Sequence, residues 1–502
     1  MLSEAVPGLD RSIASPEDHE LALRYAPLIR FDRREPFLPS AVGYSVFRFD
    51  AASASFPREV ALGDDLAAVI EYAVWWDWDI QHLYELEHVW VVVDAAGRIV
   101  ELEASWHGRF NQMRTEDGAL PLQDGRPLLY SEPGKHAFAP SPAWLLDRRA
   151  RTDASCGIHA GRMGVHVTPL FAGIIDQRKP LQNRLVHTYL ERLQFAPSYD
   201  FSQRFDLRRA AFVPWRNLFR WIPGRVAACL ETLAASIAPG ERRVLRIAHR
   251  GASAYAQENS AESLRLAASL GADMVEIDIR VSADDVAVVT HDSGLKRLYG
   301  IDGAVSDYRV DELRRLTAGP GAISSFAESL DLCHELGLGI YLDIKEFSRG
   351  AARSIFAALD ARHYWKQVIF GSGRPDHLAD IKAARPYAQT SILFRAVNID
   401  AVKLAESVGA DFVHPCWERR AEQPHRLLTP EWIAAVRAAD LGIVCWQEER
   451  PAEIAALKAL GVDAICSDKP ELLRDTPALP HPPAPSRHHY GEHPTSQGGG
   501  AR

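Results

Sequence analysis

The chain has 502 residues, 25% of them charged and 47% hydrophobic, with a formal net charge of −9. That length exceeds one ordinary core, so two or three globular domains are expected. An acidic balance with no Lys/Arg block argues against nucleic acid as a partner, and no run of about 18 apolar residues marks a membrane span.

The first twenty residues, MLSEAVPGLDRSIASPEDHE, hold no basic stretch followed by an apolar one. No secretory leader is therefore expected, and the predicted location is the cytoplasm. The six cysteines show no CxxC spacing and read as reduced, mostly buried thiols.

Residues 1–220 read as a β-rich, sandwich-like domain. The runs VIEYAVWWDWD (69–79) and HVWVVVD (88–94) have strand periodicity, and Asp94 to Gly97 reads as a hairpin turn. Polar residues gather around these runs: Asp77, Asp79, His82, Glu85, Glu87 and His88, then His107 in SWHGRF and His136 in EPGKHAF. The segments His82-Leu-Tyr-Glu85-Leu-Glu87-His88 and Gly134-Lys-His136-Ala137 resemble those of the β-sandwich in Vps62-related and necrosis-inducing-type proteins. Those proteins carry a leading Gly that is missing here, and Asp-Trp where this chain has Glu85-Leu86. The resemblance implies a second acidic and histidine site, for a cation, drawn from His82, Glu87, His107 or His136. Ordinary strand and loop polarity is the alternative. Trp75, Trp76, Trp78, Trp90 and Trp106 either line a groove or pack a core.

A break follows near 220–243, where a helix is predicted from Arg225 to Ile237, ending at Pro239-Gly240, so that 221–243 reads as a helical linker. From Val244 strand-like runs alternate with amphipathic helices. The runs are 245–250, 274–281, 287–292, 339–345, 367–372, 390–394, 411–415, 442–447 and 463–468. Such alternation makes a parallel sheet with helical crossovers. The second and third runs are joined only by the short segment from Ser282 to Val286, too little for a parallel crossover. They must form an antiparallel hairpin, with Asp278 roughly opposite His291. Eight parallel strands remain, the count of a (β/α)8 TIM barrel, here irregular and spanning 244–476 in an α/β domain. The Pro- and Gly-rich tail 477–502 is expected to be disordered.

Polar residues mark the C-terminal strand ends, where such barrels place their chemistry: His249, Arg250, Glu276, Asp278, His291, Asp343, Lys345, His414, Trp446 and Asp468. Glu276 and Asp278 alternate along one strand, so both reach one face. Two carboxylates there repel unless a cation sits between them. Two imidazoles can exchange protons near neutrality, and the planar fork of Arg250 suits phosphate oxygens. That set is what metal-assisted cleavage of a phosphodiester needs.

The ordered motifs His249-Arg250-Gly251, Glu258-Asn259-Ser260, Glu276-Ile277-Asp278 and His291-Asp292 resemble those of glycerophosphodiester phosphodiesterases, which have a PLC-like phosphodiesterase barrel. Asp343-Ile344-Lys345, Cys445-Trp446-Gln447 and Ser467-Asp468-Lys469-Pro470 follow the later motifs, with Asp343 one methylene shorter than the family's Glu. The resemblance implies that His249 and His291 are general acid and base, in an order left open. It implies Glu276, Asp278 and Asp343 as ligands of a divalent ion, Mg2+ or Ca2+. Arg250 and Lys345 would hold phosphate, and His414 and Trp446 would contact substrate, with core packing an equal alternative for Trp446. Asn259 either bonds near the site or caps the next helix. The implied activity is metal-dependent hydrolysis of a glycerophosphodiester to sn-glycerol 3-phosphate and an alcohol. The rivals are a phospholipase D-type release of a cyclic phosphate and a non-catalytic module that binds phospholipid headgroups.

Overall fold

The computed structural model describes residues 6–63, 65–176, 179–319 and 321–474; the tail expected over 477–502 lies outside them. In the front half the two longest strands, Leu66–Trp78 and Leu83–Asp94, form the centre of a six-stranded sheet. Ala41–Phe47 and Ala211–Pro214 continue it on one side, Ile99–Trp106 and Arg109–Gln112 on the other. The second central strand starts five residues before the expected run, because Glu85 and Glu87 pair in the ladder opposite Trp76 and Val74. Their charge hides a strand whose interior is polar. The turn expected at Asp94 to Gly97 forms, with Gly97 at φ +76° and its N–H donating to Asp94 O at 3.0 Å.

A second sheet is built from Leu28–Phe31, Arg126–Ser131, Phe138–Ala139, Gln203–Asp206 and Leu122–Gln123. Both sheets feed one core, with Ile29, Phe31 and Leu129 joining Tyr72, Val74 and Trp76. Trp75, Trp76 and Trp90 are fully buried, so these aromatics pack cores and line no groove. The helix expected over 225–237 runs Trp215–Ser236, straight through Pro223. Proline removes one backbone bond, but Trp215, Leu218, Trp221, Ile222, Val226 and Leu233 are buried and offset that loss. The helix lies so close to the sheet that a Cβ on Gly43 would stand 2.9 Å from the Trp215 ring.

From Leu245 the chain closes a parallel barrel. Its strands are Leu245–Ala248 (β1), Met274–Val281 (β2), Gly339–Ile344 (β3), Val368–Ser372 (β4), Gln389–Phe394 (β5), Phe412–Pro415 (β6), Gly442–Cys445 (β7) and Ala464–Ser467 (β8). They pair in sequence order, and β1 pairs with both β2 and β8. The expected hairpin is present: Ala287–Val289 runs antiparallel to β2, with Ile279 opposite Val289. That register sets Thr290 opposite Asp278, with the Thr290 N–H on Asp278 O at 3.0 Å. His291 is therefore one position further along than expected, just past the last paired residue. A short strand, Ser324–Ser325, which the sequence pattern did not reveal, pairs with the return strand. Between them, residues 293–323 form an insertion with its own apolar cluster of Leu295, Val305, Leu313 and Ile323 against Val288.

The front domain seats on the N-terminal end of the barrel. Arg162 Nη1 donates to Gly337 O at 3.0 Å, Lys179 pairs with Asp440 at 2.9 Å, and the Arg243 N–H donates to Thr188 Oγ1 at 2.8 Å. Gly337, Asp440 and Arg243 each precede a barrel strand, so this seam lies at the opposite end from the polar residues of the motifs. All six cysteines are free thiols, five of them buried. Among the described residues no helix is long and apolar enough to cross a membrane.

Candidate active site

Strand alternation builds the site directly on the barrel core. Ile247, Met274, Tyr341, Phe412, Val444 and Cys466 fill the barrel interior. Two residues further along the same strands come His249, Glu276, Asp343, His414, Trp446 and Asp468. A period of two keeps them pointing inward, at the C-terminal mouth, where apolar packing gives way to polar groups.

Glu276, Asp278 and Asp343 converge. One ligand oxygen from each lies within 4.8 Å of the others, and the residues are 0%, 0% and 2% exposed. Burial, then Asp278 and Asp343, pushes the Glu276 carboxyl well above its ordinary pKa. Burial also raises Asp343, with Asp278 adding to it, against the opposing pull of Lys345. Burial would raise Asp278 too, but Lys345 and Arg250 hold it below its usual value. Lys345 Nζ bonds Asp343 and stands 3.2 Å from Asp278 Oδ1. Even so, Glu276 Oε1 is buried with no hydrogen-bond partner, and Asp278 Oδ1 is met by the Lys345 ion pair without a hydrogen bond. Three hard oxygen ligands, with a buried Glu276 oxygen left without a partner, fit a divalent cation of the Mg2+ or Ca2+ type. The shorter Asp343 side chain still reaches the group.

Each motif histidine is tethered through Nδ1 to a carboxylate. His249 Nδ1 lies 2.7 Å from Asp468 Oδ1, and His291 Nδ1 lies 2.7 Å from Asp292 Oδ1. Such tethers set ring orientation and tautomer, leaving Nε2 for chemistry. His249 Nε2 is buried, without a hydrogen bond, 3.9 Å from Glu276 Oε2. Arg280 Nε donates to the His291 carbonyl at 3.0 Å and Nη1 donates to Glu346 at 2.7 Å, so it ties His291 to the end of β3.

Arg250 faces the same carboxylates. Its N–H donates to Glu276 Oε2 at 2.9 Å and its Nε stands 3.3 Å from Asp278 Oδ2. Its backbone is left-handed at φ +55°, followed by Gly251 at +80°, where a Cβ would stand 2.3 Å from Ser263 Oγ. Of the two roles open to Asn259, the structure supports the first. Its Nδ2 donates to Asp278 Oδ2 at 2.9 Å, while Ser260 caps the helix Ala261–Ser269. Trp446 packs its ring 5.4 Å from His249 and 4.6 Å from His414, in the mouth. His414 Nδ1 lies 2.7 Å from the Tyr341 hydroxyl. Burial, then His249 and Lys345, depresses the His414 pKa strongly, so this ring is neutral. Sequence reasoning missed Tyr341 and Arg280; it named Asp468 and Asp292 but not their pairing with the histidines, which for Asp468 depends on closure of the barrel.

The front-domain candidates meet different partners. Among the described residues, His82 joins Asp79 and Glu85 in a group whose ligand atoms lie within 4.8 Å. Lys135 Nζ stands 2.7 Å from both Asp79 oxygens, so Asp79 is ion-paired, as Asp343 is with Lys345 in the barrel mouth. Glu87 accepts from Ser105 Oγ, His107 Nε2 lies 2.6 Å from Glu132 Oε2, and His136 stacks on Trp76 at 4.6 Å beside Glu35. His82, Glu87 and His136 are buried polar residues of the front half, whereas His107 is exposed and reaches the buried Glu132.

The closed barrel and its acid–imidazole mouth define an α/β-barrel phosphodiesterase domain. That domain belongs to the glycerophosphoryl diester phosphodiesterase family, whose model matches residues 249–472. A glycerophosphodiester phosphodiesterase of Caldanaerobacter subterraneus is 25% identical over 242 residues, 46% of this chain and 96% of that protein. A putative glycerophosphodiester phosphodiesterase of Bacillus subtilis is 26% identical, over 45% of this chain and 95% of that one. Among solved structures, the glycerophosphodiester phosphodiesterase of Thermotoga maritima is 28% identical, covering 46% of this chain and 96% of that one, with a TM-score of 0.39.

Proposed function

We propose that the barrel hydrolyses glycerophosphodiesters to sn-glycerol 3-phosphate and an alcohol, with a divalent ion bound. One observation carries this reading: three buried carboxylates share a mouth with two imidazoles, each anchored through Nδ1 to its own acid. The family match and the relative's name, glycerophosphodiester phosphodiesterase, support it.

Glu276, Asp278 and Asp343 would hold the ion, which supplies positive charge to the phosphate oxygens. Arg250 and Lys345 orient the same phosphate and oppose the charge that grows during attack. One imidazole takes a proton at Nε2 from the attacking water, or from the neighbouring glycerol hydroxyl. The other gives a proton to the leaving oxygen. Asp468 and Asp292 keep both rings aimed. With the His414 proton on Nε2, the Tyr341 hydroxyl 2.7 Å from Nδ1 would be the donor there, and Nε2–H would be free to donate to a substrate oxygen.

The test is a screen of Mg2+, Ca2+ and Mn2+ against glycerophosphocholine, -ethanolamine, -inositol and -glycerol, with products read by phosphorus NMR. Free glycerol phosphate is expected, with His249→Ala and His291→Ala each slower by about 100-fold or more. No turnover of any diester with any ion, or full rates in both variants, refutes the reading. A cyclic phosphate that persists identifies the phospholipase D-type reaction instead.

A further inference from the structure

The insertion 293–323 is not needed to close the barrel, yet it reaches the site through one side chain. Arg297, on the short helix Lys296–Tyr299, spreads its guanidinium across two acids. Nη2 and Nη1 donate to Glu258 Oε1 and Oε2 at 2.6 and 3.0 Å, and Nε bonds Asp292 Oδ2. Those acids each hold a residue of the mouth. Glu258 Oε1 accepts from Arg250 Nη1 at 3.0 Å, and Asp292 Oδ1 faces His291 Nδ1 at 2.7 Å. The result is an unbroken line from Arg250 through Glu258, Arg297 and Asp292 to His291. The insertion also grips the Arg250 loop at Gly321, whose carbonyl accepts from Gln257 Nε2 at 3.2 Å and the Tyr299 hydroxyl at 2.9 Å.

We infer that Arg297 is a positioning residue that holds Arg250 and His291 in register, and that this is the insertion's contribution to the reaction. The inference rests on the phosphodiesterase reading of the mouth. Without Arg297, Glu258 and Asp292 are two like charges with no cation between them, and both are partly open to solvent. Each would turn away, releasing the group it orients. Charge alone does not suffice, because a lysine offers one point of charge where the guanidinium forks to both acids.

The test uses the full chain, labelled with 15N-histidine, as Arg297→Ala, Arg297→Gln and Arg297→Lys. The low-field Nδ1–H resonance of His291 is identified as the one lost in His291→Gln. Loss of that resonance is expected in the Ala and Gln variants, with partial retention in Lys. kcat/KM should fall about 10- to 100-fold, part of it through KM because Arg250 is freed. Thermal stabilisation by added divalent ion should stay as in the parent. A purely structural role would lower the melting temperature and leave the resonance in place. A folded Arg297→Gln variant that keeps the resonance overturns the inference. If the parent turns over no diester, the activity reading fails on its own, and the resonance still decides the role of Arg297.

Discussion

His249 and Asp468 are 219 positions apart in the chain, and His249 Nδ1 lies 2.7 Å from Asp468 Oδ1. Closure of the barrel makes this contact, since β1 pairs with β8 and sets Ala248 opposite Ser467. The carboxylate is locked from three sides: Ser253 Oγ donates at 2.8 Å and Gln447 Nε2 at 2.6 Å. Burial would raise the Asp468 pKa, but the bonds from His249 and Ser253 hold it below its usual value. It therefore stays an anion beside the imidazole.

Replacing that anion by a neutral amide should disturb chemistry and spare ion binding. Asp468→Asn is expected to lower kcat about 10- to 100-fold. The thermal shift on adding divalent ion should match the parent. Steady-state kinetics and a melting curve check both, and an unchanged kcat removes Asp468 from the mechanism.

Glu276 is costly to bury as an anion, so its removal has opposite effects with and without the ion. Glu276→Gln should stabilise the metal-free protein by about 1 kcal/mol or more, because it relieves burial and like charge together. The same variant should gain nothing from added Mg2+ or Ca2+, while the parent melts higher. Calorimetry after chelation and after readdition reads both. A parent that is indifferent to every divalent ion would falsify the assignment of this cluster.

Acid should weaken the join between β1 and β2. Asp273 accepts from Arg246 Nη2 at 3.0 Å and Nε at 3.1 Å, and it also pairs with Arg243. Burial would raise its pKa, yet Arg243 and Arg246 hold it far below the usual carboxylate value. A depressed pKa adds stability above the unfolded value of about 3.9, and that stability is lost as pH falls through the folded value. Asp273→Asn should therefore cost about 3 kcal/mol at pH 7, with the gap closing only below about pH 4. Urea unfolding of parent and variant between those limits tests this, and a gap independent of pH contradicts it.

Gly371 makes room for the ring that holds His414. A Cβ there would stand 2.4 Å from the Tyr341 ring. Gly371→Ala should displace Tyr341, break its bond to His414 and destabilise the barrel by about 1–3 kcal/mol. Raised KM with little change in the melting temperature of a Tyr341→Phe variant would separate the loss of the hydroxyl from the loss of space.

Much of the barrel was readable in one dimension. All nine predicted runs are strands, the hairpin between 274–281 and 287–292 is real, and eight parallel strands remain once it is removed. Less was readable in the front half. Glu85 and Glu87 lie in a strand that their charges disguised, and the helix expected from Arg225 starts at Trp215 and runs through Pro223. In both cases burial against the rest of the fold outweighs the local signal. The offset of one residue between Asp278 and His291 has a similar origin: turn length bounds a hairpin's register but does not choose it.

Which side chains point into the barrel was settled by the sequence alone, because alternation along a strand is a local property of the backbone. That is why Glu276 and Asp278 could be placed on a common face from residue order. Who stands beside whom was decided only in three dimensions. The bonds of His249 to Asp468 and of Arg297 to Glu258, like the seating of the front domain at the far end of the barrel, join segments separated in the chain. Such contacts depend on closure of the sheet and on packing between elements, which residue order constrains only through the whole folded chain.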